Sequence, residues 1–242
     1  MARFLKRFED CDVKAVELTG RHVPPQIPLI HREFAAKADE LPFPLCVRQG
    51  TLQKGKHQES RMSRRFVMVP GIGGSGPEHW QSHWETLYPN TLRIEPNSWD
   101  KPDLADWFAA LDRAVAAAPY PPVLVCHSLG CLLFAHWRAA SSRAIAAAFL
   151  VAVPDPSGPA FPAQAKAFGA LPATGFGERP VLAVASENDP YDPTASGIAW
   201  AARQGAWPRR LGPRGHLNEA SNLGAWPEGQ ELLADFLDEI GE

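Results

Sequence analysis

Downstream of residue 65 the chain alternates two patterns. Short, continuous apolar runs are separated by segments in which apolar residues recur every third or fourth position. The runs FVMV (66–69), TLRI (91–94), PVLVC (122–126), AAFLVAV (147–153), PVLAVA (180–185) and AWPRRL (206–211) are predicted strands. Helices are predicted near Pro77–Leu87, Leu104–Ala118, Gly130–Ala140, Pro193–Arg203 and Glu228–Ile240. Runs that are continuous rather than alternating bury both faces of a strand, which is the mark of a parallel sheet covered by helices. The pattern therefore predicts an α/β fold with a mostly parallel sheet of about six strands and helices on both faces. Its site is expected at the carboxyl ends of the strands. The stretch 154–180, PDPSGPAFPAQAKAFGALPATGFGERP, breaks the pattern. Its prolines and glycines exclude long regular elements, so a loop or small flap over one edge is expected.

The first 61 residues follow no sustained periodicity. LIHREFAAKADEL, from Leu29, has the pattern of a short helix, and TLQKGKHQESR reads as a polar linker. All eight tryptophans follow Met62. The predicted organisation is an extension over 1–61, dispensable for catalysis, and a working domain over 62–242. Charge divides at the same place: 11 Lys and Arg against 8 Asp and Glu before residue 62, and 13 against 19 after it. An acidic working domain argues against a nucleic-acid partner. No segment approaches the ~20 apolar residues of a membrane span, and the start, MARFLKRFEDCD, is broken by charges where a signal peptide is apolar. A cytoplasmic protein without a membrane partner is expected. Cys11, Cys46, Cys126 and Cys131 form no C-x-x-C pair, so reduced thiols are expected.

The candidate chemistry starts at PPVLVCHSLGCLLFAHW, where a predicted strand turns into an apolar helix through Cys126-His127-Ser128-Leu129-Gly130. This is the pattern of a nucleophile elbow, G-x-S-x-G, with cysteine in place of the first glycine. A serine needs a base to take its proton and a carboxylate to orient that base, in chain order Ser, Asp, His for this architecture. Asp189 follows the fifth predicted strand in PVLAVASENDPYDP, with Asp192 as rival, and His216 follows the sixth in LGPRGHLNEAS. Acyl transfer also needs two backbone N–H donors for the oxyanion. Leu129, next to the serine, is one candidate; the loop PGIGGSG supplies the other, Ile72, with Gly73 next in line. Gly71, Gly73 and Gly76 are also spaced G-x-G-x-x-G, with Glu95 at a ribose-binding distance, which is the rival dinucleotide pattern. That reading leaves Ser128, Asp189 and His216 unexplained. His79 and His83 stand four apart on a predicted helix without a third metal ligand, so packing or capping is expected of them. His127 and His136 are read as structural, and Trp80, Trp84, Trp99, Trp107 and Trp226 as core, those beside the glycine loop also suiting an acyl pocket. No metal and no cofactor is called for.

With these residues in hand, VPGIGGSGPEHWQSHWE, VCHSLGCLLFAHW, VASENDPYDP and GPRGHLNEASNLGAWPEG resemble the single-domain α/β hydrolases related to YdeN and to human retinoblastoma-binding protein nine. The resemblance runs from about Arg64 to the C-terminus. It implies an α/β-hydrolase fold with little or no cap domain, Ser128 as nucleophile, His216 as base and Asp189 as orienter. It implies a serine hydrolase acting on a small ester or activated acyl substrate. The L-x-C-x-E pattern of retinoblastoma binding is absent, since Leu124-Val125-Cys126 runs into His127-Ser128. The alternative is a hydrolase-fold binding protein with an idle site.

Overall fold

The structure is a computed structural model and describes residues 65–242. The extension, its candidate helix from Leu29 and the boundary at Met62 lie outside the described residues. Six strands form one sheet: β1 (Phe66–Val69), β2 (Leu92–Arg93), β3 (Val123–His127), β4 (Ala147–Val151), β5 (Val181–Ser186) and β6 (Trp207–Leu211). Their spatial order is β2-β1-β3-β4-β5-β6, and every pairing is parallel. The helices are α1 (Trp80–Leu87), α2 (Leu104–Ala117), α3 (Leu129–Ala140), α4 (Ser196–Arg203) and α5 (Pro227–Ile240).

Side chains of a strand alternate between faces, and here both faces are filled. Val67, Val69, Leu124, Cys126, Ala148, Leu150 and Ala183 pack with Leu111, Leu133, Trp137 and Ile198 of α2, α3 and α4. Phe66, Met68, Val123, Val125, Phe149 and Val184 pack instead with Trp80 and Trp84 of α1 and Leu233 and Phe236 of α5. This division explains why the strands read as unbroken apolar runs. On the second face Trp84 stacks on Trp226, with ring centroids 6.0 Å apart, and its Nε1–H donates to the Ala225 carbonyl at 2.8 Å. Two large aromatics thereby tie the segment leading into α5 to α1, burying apolar area while satisfying the Trp84 indole N–H.

Several elements differ from expectation at their ends, β4 stopping at Val151 rather than Val153. Thr91 and Ile94 do not extend β2, which pairs only through Leu92 and Arg93 against Val67 and Met68. The first helix begins at Trp80 rather than Pro77, because His79 is its cap and accepts the Gln81 N–H at 3.2 Å. The fourth begins at Ser196 rather than Pro193, since Asp192 accepts the N–H groups of Gly197 and Ile198. Residues 154–180 hold one short 3₁₀ segment, Ala163–Gly169, which buries Ala165 and Phe168 against the first face. His136 on α3 fastens it by donating from Nε2 to the Phe168 carbonyl at 3.0 Å. Among the described residues no helix is long and apolar enough to cross a membrane.

Candidate active site

β3 ends at His127 and α3 starts at Leu129, leaving a single residue for the turn. That residue, Ser128, has φ 53° and ψ −121°, a left-handed conformation that costs a non-glycine residue on the order of 1–3 kcal/mol. The neighbourhood over-determines it. The Ser128 N–H donates to the Val151 carbonyl at 2.9 Å, and the Ser128 carbonyl accepts the Cys131 N–H at 2.9 Å. Gly130 is required because an added Cβ would lie 2.1 Å from the Val69 carbonyl oxygen. Cys126 enters the core on the α3 side of the sheet, fully buried, which a small side chain at this position permits. Burial pushes the thiols of Cys126 and Cys131 well above the usual cysteine range, so neither is a thiolate nucleophile.

The loops after β5 and β6 bring two further predicted residues to the serine. His216 Nε2 is 2.8 Å from Ser128 Oγ, and His216 Nδ1 is 2.8 and 2.9 Å from the two Asp189 carboxylate oxygens. Asp189 and His216 are both buried. The geometry separates the rival carboxylates: Asp192 is committed to the start of α4, while Asp189 faces the imidazole. Sequence reasoning missed two residues that tie the loops together. Asn188 Oδ1 accepts from Ser186 Oγ at 2.9 Å and from the Gly215 N–H at 2.7 Å, and Ser186 Oγ accepts the Arg214 N–H at 2.8 Å. Their only sequence signal was adjacency to Asp189. A third tie is the Trp80 Nε1–H, which donates to the Leu217 carbonyl at 2.8 Å.

Three histidine rings cluster behind the serine. His127 lies 5.1 Å from His216 and 4.7 Å from His79, ring centre to ring centre, and its Nε2–H donates to the His216 carbonyl at 3.1 Å. Burial, with the nearby Arg93 and His216 charges adding to it, lowers the His79 pKa to about 3; burial followed by the His79 neighbour holds His127 well below the usual histidine range. Both rings therefore stay neutral in the folded protein, whereas the unfolded chain protonates them near the ordinary value of ~6.5. Since the unfolded state then binds more protons, stability is fully present above about pH 6.5 and is lost as pH falls toward 3. The expected slope is about 1.4 kcal/mol per pH unit for each histidine. Urea midpoints between pH 7 and 5 measure it, and His127→Gln should flatten the curve; equal midpoints across that range for the unaltered protein would contradict the burial argument. His83 joins no group of metal-ligating side chains among the described residues.

The glycine loop closes beside the serine. An added Cβ on Gly71 would come 2.9 Å from Ser128 Cβ, so this glycine is explained by the elbow rather than by a pyrophosphate. The Gly74 N–H donates to the Gly71 carbonyl at 3.1 Å, placing Ile72 inside a tight turn. Ile72, Leu129, Ser128 and His216 all line one cleft of about 410 Å³. Apolar lining comes also from Phe161, Pro162 and Tyr191, and polar lining from Ser75, Gln164, Asn218 and Glu219. Among the described residues the amides of Ile72 and Leu129 have no backbone acceptor. Such an arrangement can activate a hydroxyl and receive a carbonyl oxygen.

Parallel order, helices on both faces and a serine elbow at the strand ends define the α/β-hydrolase superfamily. The sequence matches the serine hydrolase family over residues 66–235, and the chain belongs to that family, among its YdeN-like members. A YdeN-like hydrolase from Pectobacterium atrosepticum is 30% identical, with a TM-score of 0.68, and the alignment covers 76% of this chain and 97% of that one. The ydeN gene product of B. subtilis is 20% identical, with a TM-score of 0.59 over 73% and 100% of the two chains, a likeness of fold. No curated protein matches the chain.

Proposed function

We propose that the protein is a carboxylesterase-like serine hydrolase that cleaves a small ester or activated acyl substrate through an acyl-enzyme at Ser128. The observation that carries this reading is the unbroken contact chain from Asp189 to His216 to Ser128, 2.8 Å at each link, ending on a strained elbow inside a cleft. His216 Nε2 takes the Ser128 proton as Oγ attacks the carbonyl carbon. Asp189 keeps the other imidazole proton on Nδ1 and stabilises the imidazolium that forms. The Leu129 and Ile72 N–H groups hold the oxyanion, His216 returns the proton to the leaving group, and water releases the acyl chain by the reverse sequence. No step needs a metal or a cofactor. A cytoplasmic setting belongs to the same reading and suits the free thiols of Cys126 and Cys131.

The cleft also bears on substrate charge. Among the described residues, apart from His216 and its two neighbouring histidines, Glu219 is the one side chain of formal charge lining it, and no lysine or arginine does. Neutral or cationic acyl substrates fit better than anionic ones. The test is labelling by a fluorophosphonate, which requires an activated serine, followed by p-nitrophenyl esters of graded length and charge. Labelling that maps to Ser128 and faster turnover of neutral than of anionic esters are expected; an intact protein that takes no label has an idle site.

A further inference from the structure

We propose that Arg93 is a positioning residue that clamps the loop carrying the Ile72 amide, so that the oxyanion site is preformed. The inference rests on the esterase reading and concerns a residue that neither bonds to Ser128 nor lines the cleft.

The loop has an intrinsic weakness. Gly73, Gly74 and Ser75 follow one another at φ 81°, 75° and 55°, and two adjacent glycines accept either sign of φ at little cost. A peptide unit in such a segment can turn over, and a carbonyl oxygen rotated into the cleft would face the developing oxyanion with like charge. Something outside the glycines must hold the peptide planes. Arg93 on β2 does so from a strand register shared with β1, since Met68 pairs with Arg93 and the Ile94 N–H donates to the Met68 carbonyl at 3.1 Å.

From that base its guanidinium fans out to four acceptors. Nη1 donates to the carbonyls of Gly74 and Ser75, the second at 3.1 Å. Nη2 donates to Ser82 Oγ at 2.9 Å, and that hydroxyl in turn donates to the Ser75 carbonyl at 2.8 Å. Nε donates to the Glu85 carboxylate at 2.6 Å. A planar fork with fixed N–H directions, charge-assisted at each bond, fixes the carbonyls in orientation as well as in distance, which a lysine ammonium cannot do. With both carbonyls turned to Arg93, the opposite, N–H ends of these trans peptides point away from it. The far side of the loop is closed by the Gly73 N–H, which donates to the Trp99 carbonyl at 3.3 Å, and by the Trp99 ring against Gly74. Ile72 lies between the anchored positions and Gly71, which abuts Ser128. Loss of the clamp therefore loosens one oxyanion donor while the triad stays intact.

The experiment compares Arg93→Met and Arg93→Lys with the unaltered full chain, using a neutral p-nitrophenyl ester and a trifluoromethyl ketone as transition-state analogue. Expected for Arg93→Met is a fall in kcat of about 10- to 100-fold, the range for a displaced or lost oxyanion donor, with KM changed by less than about threefold. Affinity for the ketone should fall by the same factor as kcat/KM, because only the tetrahedral adduct uses the hole. Arg93→Lys should fall between the two, and it serves alone if the methionine variant does not fold. Partial recovery of Arg93→Met by added methylguanidinium is expected. A folded variant with unchanged kcat, or one that loses turnover without losing ketone affinity, overturns the clamp. Phosphonate labelling of the unaltered protein at Ser128 would stand in either case, so failure of the clamp and failure of the esterase reading are told apart.

Discussion

Replacing Ser128 by alanine is expected to lower ester turnover by roughly 10⁵- to 10⁶-fold while leaving the protein folded, as removal of a triad nucleophile does. The size follows from what is removed. Without Oγ there is no atom 2.8 Å from His216 Nε2 to attack the carbonyl, and the proposed oxyanion donors can only assist attack by water. The stability change should be small, because alanine keeps the Cβ and the backbone bonds to Val151 and from Cys131 are untouched. Loss of one hydrogen bond of about 1 kcal/mol shifts the thermal midpoint by about 2–4 °C in a domain of this size. The substitution thus separates chemistry from folding. The measurement is kcat/KM together with a thermal midpoint on protein verified by mass; turnover at the unaltered rate would sink the serine mechanism.

Gly130→Ala is expected to have the largest effect on stability. The new Cβ would fall 2.1 Å from the Val69 oxygen, 2.7 Å from the Pro70 oxygen and 2.9 Å from the Val69 carbonyl carbon. These are backbone atoms of a buried central strand, so no side chain can swing aside, and β1 and the start of α3 must separate. Overpacking against movable side chains already costs about 1–3 kcal/mol. A backbone clash of this depth should exceed that, lowering the thermal midpoint by 6 °C or more at about 2–4 °C per kcal/mol. Because the same displacement moves Ser128 relative to Gly71, activity should fall too. Gly212→Ala provides the control: its Cβ meets nothing within 4 Å, and a change within about 0.5 kcal/mol is expected. Equal midpoints for the two variants would show that the elbow is not held by this contact.

Much of the molecule was legible in the chain because the relevant signals are local. β1, β3, β4 and β5 appear as uninterrupted apolar runs, since both of their faces are covered, whereas the edge strands β2 and β6 carry Arg93, Arg209 and Arg210; the helices between them follow from apolar spacing. Ser128, Asp189 and His216 were legible for a related reason: each sits just past a strand end, and strand ends can be read from composition. What periodicity could not decide lies in side-chain direction. Asp189 and Asp192 are three apart in one turn-forming segment, and only the folded chain shows that one faces the imidazole while the other accepts the Gly197 and Ile198 N–H groups at the start of α4. The starts of α1 and α4 were misread because side-chain bonds from His79 and Asp192 to first-turn N–H groups displace the apparent boundary, and such a bond is no part of a sequence pattern. The parts played by Ser186, Asn188 and Arg93 could not be read from any sequence pattern. Each acts through hydrogen bonds to backbone carried by another segment, and which segments meet is determined by sheet order and register. The sequence by itself determined the layers, the strand count and the candidate reactive groups, because burial and backbone preference are properties of short stretches. Tertiary structure alone decided which of those groups touch, because contact depends on how distant strands are placed side by side.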